Sequence, residues 1–159
     1  MKPNDLLFLI YLLFIMLTFS FGQTKAEPAS HLNIDKETLI AVSGYDLVSY
    51  FEKPTPVKGN PKWRATYDGA HYHFSSENHR NLFLKNPQKY LPIYGGWCAY
   101  AIGKYGQKVS IDPKSYLIIK DTLYLFYNSL LNDTKKKWID DSLNLKVKAT
   151  AHWNKIIDP

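Results

Sequence analysis

Two alternating runs of apolar and polar residues meet at Asp68-Gly69. The first run is Trp-Arg-Ala-Thr-Tyr over 63–67, and the second is Ala-His-Tyr-His-Phe over 70–74. An Asp-Gly pair accepts the positive φ angles of a two-residue type I′ turn. The pattern therefore predicts an antiparallel hairpin whose register is set by its turn.

In that register one side of the hairpin is apolar and the other polar, because neighbouring residues of a strand point to opposite faces. The polar side of the hairpin carries Arg64 opposite His73 and Thr66 opposite His71. His71 and His73 then point the same way. The apolar pairs are Trp63 with Phe74, Ala65 with Tyr72, and Tyr67 with Ala70.

A helix is predicted directly after the hairpin. Either Ser75 or Ser76 can cap its start, and Pro87 prevents it from continuing. His79 lies on the same helical face as the apolar Leu82 and Phe83, which places it at the edge of the core. Residues 87–90 predict one more short helical turn, since proline suits the first position of a helix.

The second half of the chain predicts a bend, another hairpin and a helical segment. Gly95-Gly96 indicates a tight bend or a close backbone approach. Apolar runs on either side of Asp121-Thr122 predict a hairpin with a loose loop, because threonine resists positive φ. Residues from about 130 to 156 predict a helical segment that breaks once near 142–144. We expect an α+β fold in which two β-hairpins form a small antiparallel sheet, packed with a central helix and this C-terminal segment.

The N-terminus has the layout of a signal peptide. An unbroken apolar run over 6–17 follows Lys2 and precedes a more polar stretch. We predict a signal peptide over 1–26, cleaved after Gly22 or Ala26, an N-terminal tail over 27–40 and a single domain over 41–159. An uncleaved membrane anchor is the alternative. The expected location is periplasmic or extracellular, with no stable membrane span after cleavage.

Charge and cysteine content exclude several classes of function. The 159 residues carry 20 Lys+Arg against 14 Asp+Glu, an excess too dispersed for a nucleic-acid surface. The run Lys135–Lys137 is followed by Asp140 and Asp141, which favours a solvated helix face over a phosphate site. A single cysteine excludes an internal disulfide and an all-cysteine zinc site. We expect no nucleic-acid partner.

Several joined motifs resemble the YHS-domain family, in its extended, exported branch. The resemblance spans about Ala41 to Trp153 and implies a small α+β module. Members occur alone or fused to metal-handling proteins, so the resemblance implies a binding role without a defined reaction. The motifs are Gly44-Tyr45-Asp46, Tyr67-Asp68-Gly69-Ala70, the Tyr-His-Phe-Ser-Ser-Glu-Asn string over 72–78, Asn86-Pro87-Gln88-Lys89-Tyr90, and the Tyr-Gly-Gly-Trp-Cys-Ala-Tyr string over 94–100.

The metal-associated branch of that family carries cysteines at the positions of Ser49, Ser75 and His79. This chain departs from the pattern at all three, because serine hydroxyls are poor ligands for soft transition metals and only His79 keeps a good donor. The resemblance therefore leaves His79 as a candidate ligand. Independently of it, His71 and His73 point to the same side of a strand and could together bind copper, nickel or zinc, so the candidate metal ligands are His73 and His79. Arg64, opposite His73, disfavours a bound cation there.

These observations predict a non-enzymatic binding module, with no catalytic residues assigned. Its ligand is a transition-metal ion or a small anionic or aromatic molecule. One alternative is a structural or protein-interaction domain whose histidines are packed, and a third is a thiol-dependent enzyme that uses Cys98. The candidate ligand-binding residues are Arg64, His71, His73, Ser75, His79 and Cys98.

Overall fold

The computed structural model describes residues 30–159, so the predicted signal peptide lies outside the described residues. The first hairpin joins β1 (Asn60–Tyr67) to β2 (Ala70–Phe74) in antiparallel pairing. Asp68 and Gly69 have φ angles of 49° and 73°, which confirms the predicted two-residue turn. The pairs nearest the turn match the predicted register, including Arg64 opposite His73 and Thr66 opposite His71.

The predicted pair of Trp63 with Phe74 is wrong. Beyond Arg64 the register shifts, and Phe74 pairs with Asn60 instead. The residues between them include Pro61, which has no backbone N–H to donate to a ladder and so favours a bulge. Trp63 is half-buried and packs at the edge of the core.

Helices lie on both sides of the first hairpin in the chain. α1 (Ser49–Glu52) precedes the hairpin, and the two helices predicted after it are α2 (Glu77–Lys85) and α3 (Pro87–Tyr90). Ser76 caps α2, where its hydroxyl accepts a hydrogen bond from the backbone N–H of His79. His79 and Phe83 are the buried residues of α2, so the predicted helix and its buried face are confirmed.

The second hairpin turns one residue earlier than predicted. A 3-10 helix (Ile93–Gly96) and α4 (Ala99–Tyr105) lead to β3 (Asp112–Ile119) and β4 (Thr122–Phe126). Its turn residues are Lys120 and Asp121, with φ angles of 48° and 57°. Thr122 pairs with Ile119 in the ladder, where a β-branched residue is favoured, so the loop is tight rather than loose.

The C-terminal segment is helical from Thr134 onward, as predicted, but residues 130–133 belong to a short third hairpin and the predicted helix there is wrong. Strands β5 (Asn128–Ser129) and β6 (Asn132–Asp133) lead into α5 (Thr134–Asp140) and α6 (Ser142–Ile157). The break between the helices falls at Asp141. The predicted apolar spacing is only partly buried: α6 buries Leu145 and Ala149, whereas Leu143 and Val147 are 86% and 72% exposed.

The α+β class is confirmed. The two predicted hairpins do not share one sheet, because each hairpin of the described residues forms its own two-stranded sheet. The core has two clusters that share β4, because its alternate side chains face opposite ways. Leu123 and Leu125 of β4 join the first cluster with Phe74 and Phe83, around β2 and α2. Tyr124 and Phe126 of the same strand join the second cluster, around α4, α5 and α6. Within residues 30–159, no helix is long and apolar enough to cross a membrane.

Residues 30–41, the N-terminal strap, pack against both halves of the fold. The predicted tail 27–40 is therefore part of the packed fold from Ser30 onward. Ile40 lies beside His71 of β2, and the backbone groups of Leu39 and Ala41 bond to that residue. At the other end of the strap, the N–H of Asn33 donates to the carbonyl of Gly95 over 2.8 Å.

Candidate functional site

A completely buried carboxylate, Asp46, organises the polar cluster beside α1. Its Oδ1 accepts hydrogen bonds from the backbone N–H groups of Val48, at 3.0 Å, and Ser49, at 3.3 Å. Its Oδ2 accepts from both the backbone N–H and the hydroxyl of Ser75, at 2.8 and 2.6 Å. The Nδ1 atom of His79 lies 2.6 Å from the same oxygen. Asp46 thus ties the start of α1 to the junction of β2 and α2.

The imidazole of His79 lies between two carboxylates. While Nδ1 faces Asp46, Nε2 lies 3.2 Å from Oε2 of Glu52, whose side chain is 45% exposed. Only the imidazolium form has a proton on each nitrogen, and that form donates to both carboxylates at once. Both nitrogen positions are engaged within the protein, which leaves neither free for a metal ion in this arrangement.

Ser49, Ser75 and His79 all contact Asp46. The Ser49 hydroxyl donates to the carbonyl of Asp46 over 2.6 Å and accepts from the N–H of Val57 at 3.0 Å. The structure therefore brings together the three positions at which the YHS resemblance implies metal-site cysteines. In residues 30–159, no group of three or more His, Cys, Asp or Glu side chains is arranged to hold a metal ion.

Arg64, His71 and His73 occupy the polar side of the first hairpin, in a second environment. Nδ1 of His71 lies 3.0 Å from the Thr66 hydroxyl across the ladder. His73 is buried against Gly59, where an added Cβ would come within 2.3 Å of the His73 backbone. Burial lowers the pKa of His73, and the charge of Arg64 lowers it further. His73 therefore favours the neutral imidazole.

Cys98 lies in a third environment, before α4. The thiol is completely buried, and its Sγ lies 3.5 Å from the hydroxyl of Thr134. A neighbouring hydroxyl is not a base that would activate a thiol for attack. The ring nitrogens of His79 contact Asp46, Ser75 and Glu52, so neither Cys98 nor His73 takes part in this cluster. The structure divides the six predicted binding residues among three places.

A cavity of about 330 Å³, the aromatic cavity, lies between the N-terminal strap, the first hairpin turn and the segment around Ile93. Its size is at the lower end of the range for small-molecule sites. Sequence reasoning missed it because the walls come from five distant stretches of chain. The lining residues are His31, Leu32, Asn33, Ala41, Val42, Tyr67, Asp68, Tyr72, Gln88, Leu91, Pro92, Ile93, Tyr94, Gly95 and Trp153.

Gly95 allows the strap to approach closely enough to close one wall of the cavity. A Cβ at this position would lie 2.7 Å from the carbonyl oxygen of His31 and 2.9 Å from the Trp153 ring. The φ angle of Gly95 is also positive, at 59°. The predicted tight bend and close approach at Gly95-Gly96 are confirmed, and this glycine signal was the one hint of the cavity in the sequence.

The cavity wall contains three tyrosines and one tryptophan and carries little charge. Burial raises the pKa of Tyr94 to about 12 and also raises the pKa of Tyr72, so both phenols stay neutral at physiological pH. The Tyr67 hydroxyl accepts a hydrogen bond from the side chain of Gln88 at 2.9 Å. Asp68, exposed at the turn, supplies the one carboxylate among the lining residues.

Fold and site together define a small α+β domain with a buried carboxylate–histidine cluster and a separate aromatic cavity. The chain matches no protein-family model, no curated protein and no solved structure. Its function is therefore inferred from the geometry of its own side chains.

Proposed function

We propose that this protein is an exported binding module of the YHS-domain type, which holds a small aromatic molecule in the aromatic cavity. The observation that carries the proposal is a pre-formed cavity of about 330 Å³ whose walls include three tyrosines and one tryptophan. Ligand sites are typically concave and mostly apolar, with a few polar groups that orient the ligand. The signal-peptide layout and the joined motifs support the export and the family type.

The lining favours a neutral or cationic ligand over an anionic one. The Asp68 carboxylate repels an anion, and none of the described residues that line the cavity is a lysine or an arginine. Aromatic rings, such as those of Tyr67 and Trp153 in this wall, attract cations as well as flat apolar rings. Of the ligand classes considered from the sequence, the small aromatic molecule fits this cavity best.

Three naphthalene derivatives of similar shape test the proposal: 2-naphthol, 2-naphthylmethylammonium and naphthalene-2-sulfonate. Binding to the full chain is measured by calorimetry and by the shift in melting temperature. We expect the neutral and cationic compounds to bind with sub-millimolar dissociation constants and the sulfonate to bind at least tenfold more weakly, because only the sulfonate meets repulsion from Asp68.

Leu91→Trp provides the matched structural test. Leu91 is half-buried in the cavity wall, and the larger indole fills the space that the ligand would occupy. Tyr105→Trp on the exposed end of α4 is the control for adding an indole elsewhere. We expect Leu91→Trp to weaken 2-naphthol binding at least tenfold and the control to leave it unchanged. Equal binding by both variants, or no binding by the parent chain, contradicts the proposal and leaves a structural or interaction domain.

A further inference from the structure

Two adjacent leucines project from the tip of the third hairpin. Strands β5 and β6 are two residues each, and the turn between them is Leu130-Leu131. Their side chains are 104% and 99% exposed, so neither packs on the protein. Single exposed leucines are ordinary, but a neighbouring pair at a projecting turn marks an interaction surface. We call this pair the leucine tip.

A cluster of lysines lies next to the leucine tip. Helix α5 begins directly after β6 and carries Lys135–Lys137 near its start. Trp138 is buried and fixes the helix orientation, which leaves Lys136 and Lys137 exposed. The Nζ atom of Lys137 donates to the Asn132 side chain over 2.7 Å, and Asn132 directly follows the tip. One cation is thus held beside the leucines.

Lys135–Lys137 form no ion pair with the aspartates of this region. Asp133 uses its carboxylate to cap α5, accepting the backbone N–H of Lys136 at 3.0 Å. Asp140 and Asp141 come at the other end of the same helix. Residues 133–141 thus carry three lysines and three aspartates, and none of the three lysine amines is paired with a carboxylate.

We propose that the leucine tip docks on an anionic lipid bilayer, with Leu130 and Leu131 in the boundary between headgroups and acyl chains and Lys135–Lys137 on the lipid phosphates. A short projecting turn presents a convex apolar surface, which a fluid bilayer accommodates without a shaped groove. The neighbouring lysines complement anionic headgroups, and an apolar tip combined with a basic patch gives two membrane signals that act together. This inference is independent of the aromatic cavity.

A label at the tip tests the docking in the full chain, because it reports on this hairpin whatever the rest of the chain does. An environment-sensitive fluorophore is attached at Ser129→Cys in a Cys98→Ala background, with Lys85→Cys on α2 as the matched control position. The vesicles are phosphatidylcholine alone, or three parts phosphatidylcholine to one part phosphatidylglycerol. We expect the fluorescence at position 129 to rise only with the anionic vesicles, to be quenched by lipids with a quencher on the acyl chain, and to be reduced by high salt. We expect the label at position 85 to stay unchanged.

Substitutions then separate the apolar and the ionic contributions to docking on the bilayer. We expect Leu130→Ser with Leu131→Ser to weaken the tip response at least about tenfold, since even one fully buried leucine contributes roughly that factor. We expect Lys135, Lys136 and Lys137 changed together to Gln to remove the preference for anionic vesicles. Leu84→Ser, an exposed leucine on α2, is the control and should change nothing.

Two outcomes would overturn the docking. One is a label at the tip that does not respond to anionic vesicles, or responds equally after both leucines are changed. The other is a response that needs no vesicles and rises with protein concentration, which would make the leucine tip a contact between copies of the chain. Circular dichroism of each variant confirms that the exposed substitutions leave the fold intact.

Discussion

Asp46 and Glu52 face the same imidazole, yet they differ in burial. Asp46 is completely buried and accepts from Val48, Ser49 and Ser75 as well, whereas Glu52 is half exposed and faces only the Nε2 side of His79. Removing the charge of a buried, multiply bonded carboxylate leaves donors without acceptors. The exposed partner is screened by water.

We therefore predict that Asp46→Asn lowers the free energy of unfolding by about 3–5 kcal/mol, whereas Glu52→Gln lowers it by less than about 1 kcal/mol. The introduced amide would turn an N–H₂ group toward donors that the carboxylate now satisfies. Urea unfolding at neutral pH, followed by circular dichroism, measures both variants. Equal losses would mean that the buried cluster is not what ties α1 to the hairpin.

His73 gives the hairpin a dependence on pH. Burial lowers the pKa of His73 in the folded protein, and Arg64, His71 and Lys58 add to the effect. In the unfolded chain the group titrates near its usual value of about 6.5. At pH values between about 6.5 and the lower pKa of the folded protein, the unfolded state binds more protons than the folded state does. The contribution of neutral His73 to the free energy of unfolding is therefore complete above about pH 6.5 and decreases as the pH falls below that value.

We predict that the free energy of unfolding falls from pH 7.5 to pH 5.5, and that His73→Gln reduces the size of this fall. Arg64→Gln should also reduce it, because it removes a nearby positive charge that disfavours the imidazolium. Urea titrations at the two pH values measure the differences. A fall of the same size in His73→Gln as in the parent chain would assign the pH dependence to other groups.

At the scale of elements, the two long hairpins show what a turn sequence does and does not reveal. The position of the first turn could be predicted from the pair Asp68-Gly69, because glycine takes positive φ without cost. Lys120-Asp121 carries the same geometry on two residues with a Cβ. Each such residue costs about 1–2 kcal/mol in the left-handed region. This strained turn cannot be read from local preference, which explains why the sequence placed it one residue too late.

We predict that Asp121→Gly stabilises the protein by about 1 kcal/mol, because it relieves the positive φ. Gly69→Ala, the reverse change at the corresponding position of the first hairpin, should destabilise it by a similar amount. Thermal and urea unfolding of both variants provide the comparison. A loss of stability in Asp121→Gly would show that the aspartate side chain contributes more to this turn than its backbone strain costs.

For the whole molecule, local patterns predicted the elements better than the site. Strand alternation, the Ser76 cap and Pro87 each act over a few residues, so the first hairpin and α2 could be predicted nearly residue by residue. The partner of His79 could not, since Asp46 lies 33 positions away and is brought to it only by packing. The aromatic cavity is less predictable still, because its walls meet only when the N-terminal strap has closed over the bend at Gly95.

Closure of the strap depends on a few hydrogen bonds between distant parts of the chain. The indole N–H of Trp97 donates to the carbonyl of His31 over 2.6 Å, and the Asn33 side chain donates to the carbonyl of Gly96 over 2.9 Å. Leu32 and Ile34 pack on the first core cluster, whereas His31 meets Trp153 of the second edge to face, with ring centroids 5.7 Å apart. The strap therefore joins the two clusters across the cavity.

We predict that Asn33→Ala combined with Trp97→Phe opens the strap without unfolding the domain. Each lost hydrogen bond contributes about 1 kcal/mol, so local opening should become roughly tenfold or more frequent. Trypsin cleavage after the exposed Lys36 measures the opening, and affinity for 2-naphthol measures the cavity; both should change together. Asn81→Ala on the exposed side of α2 is the control. If the double variant were cleaved faster yet bound the probe as tightly as the parent chain, the strap would not be a wall of the binding site, and the ligand would have to be held by the hairpin turn and the segment around Ile93 alone.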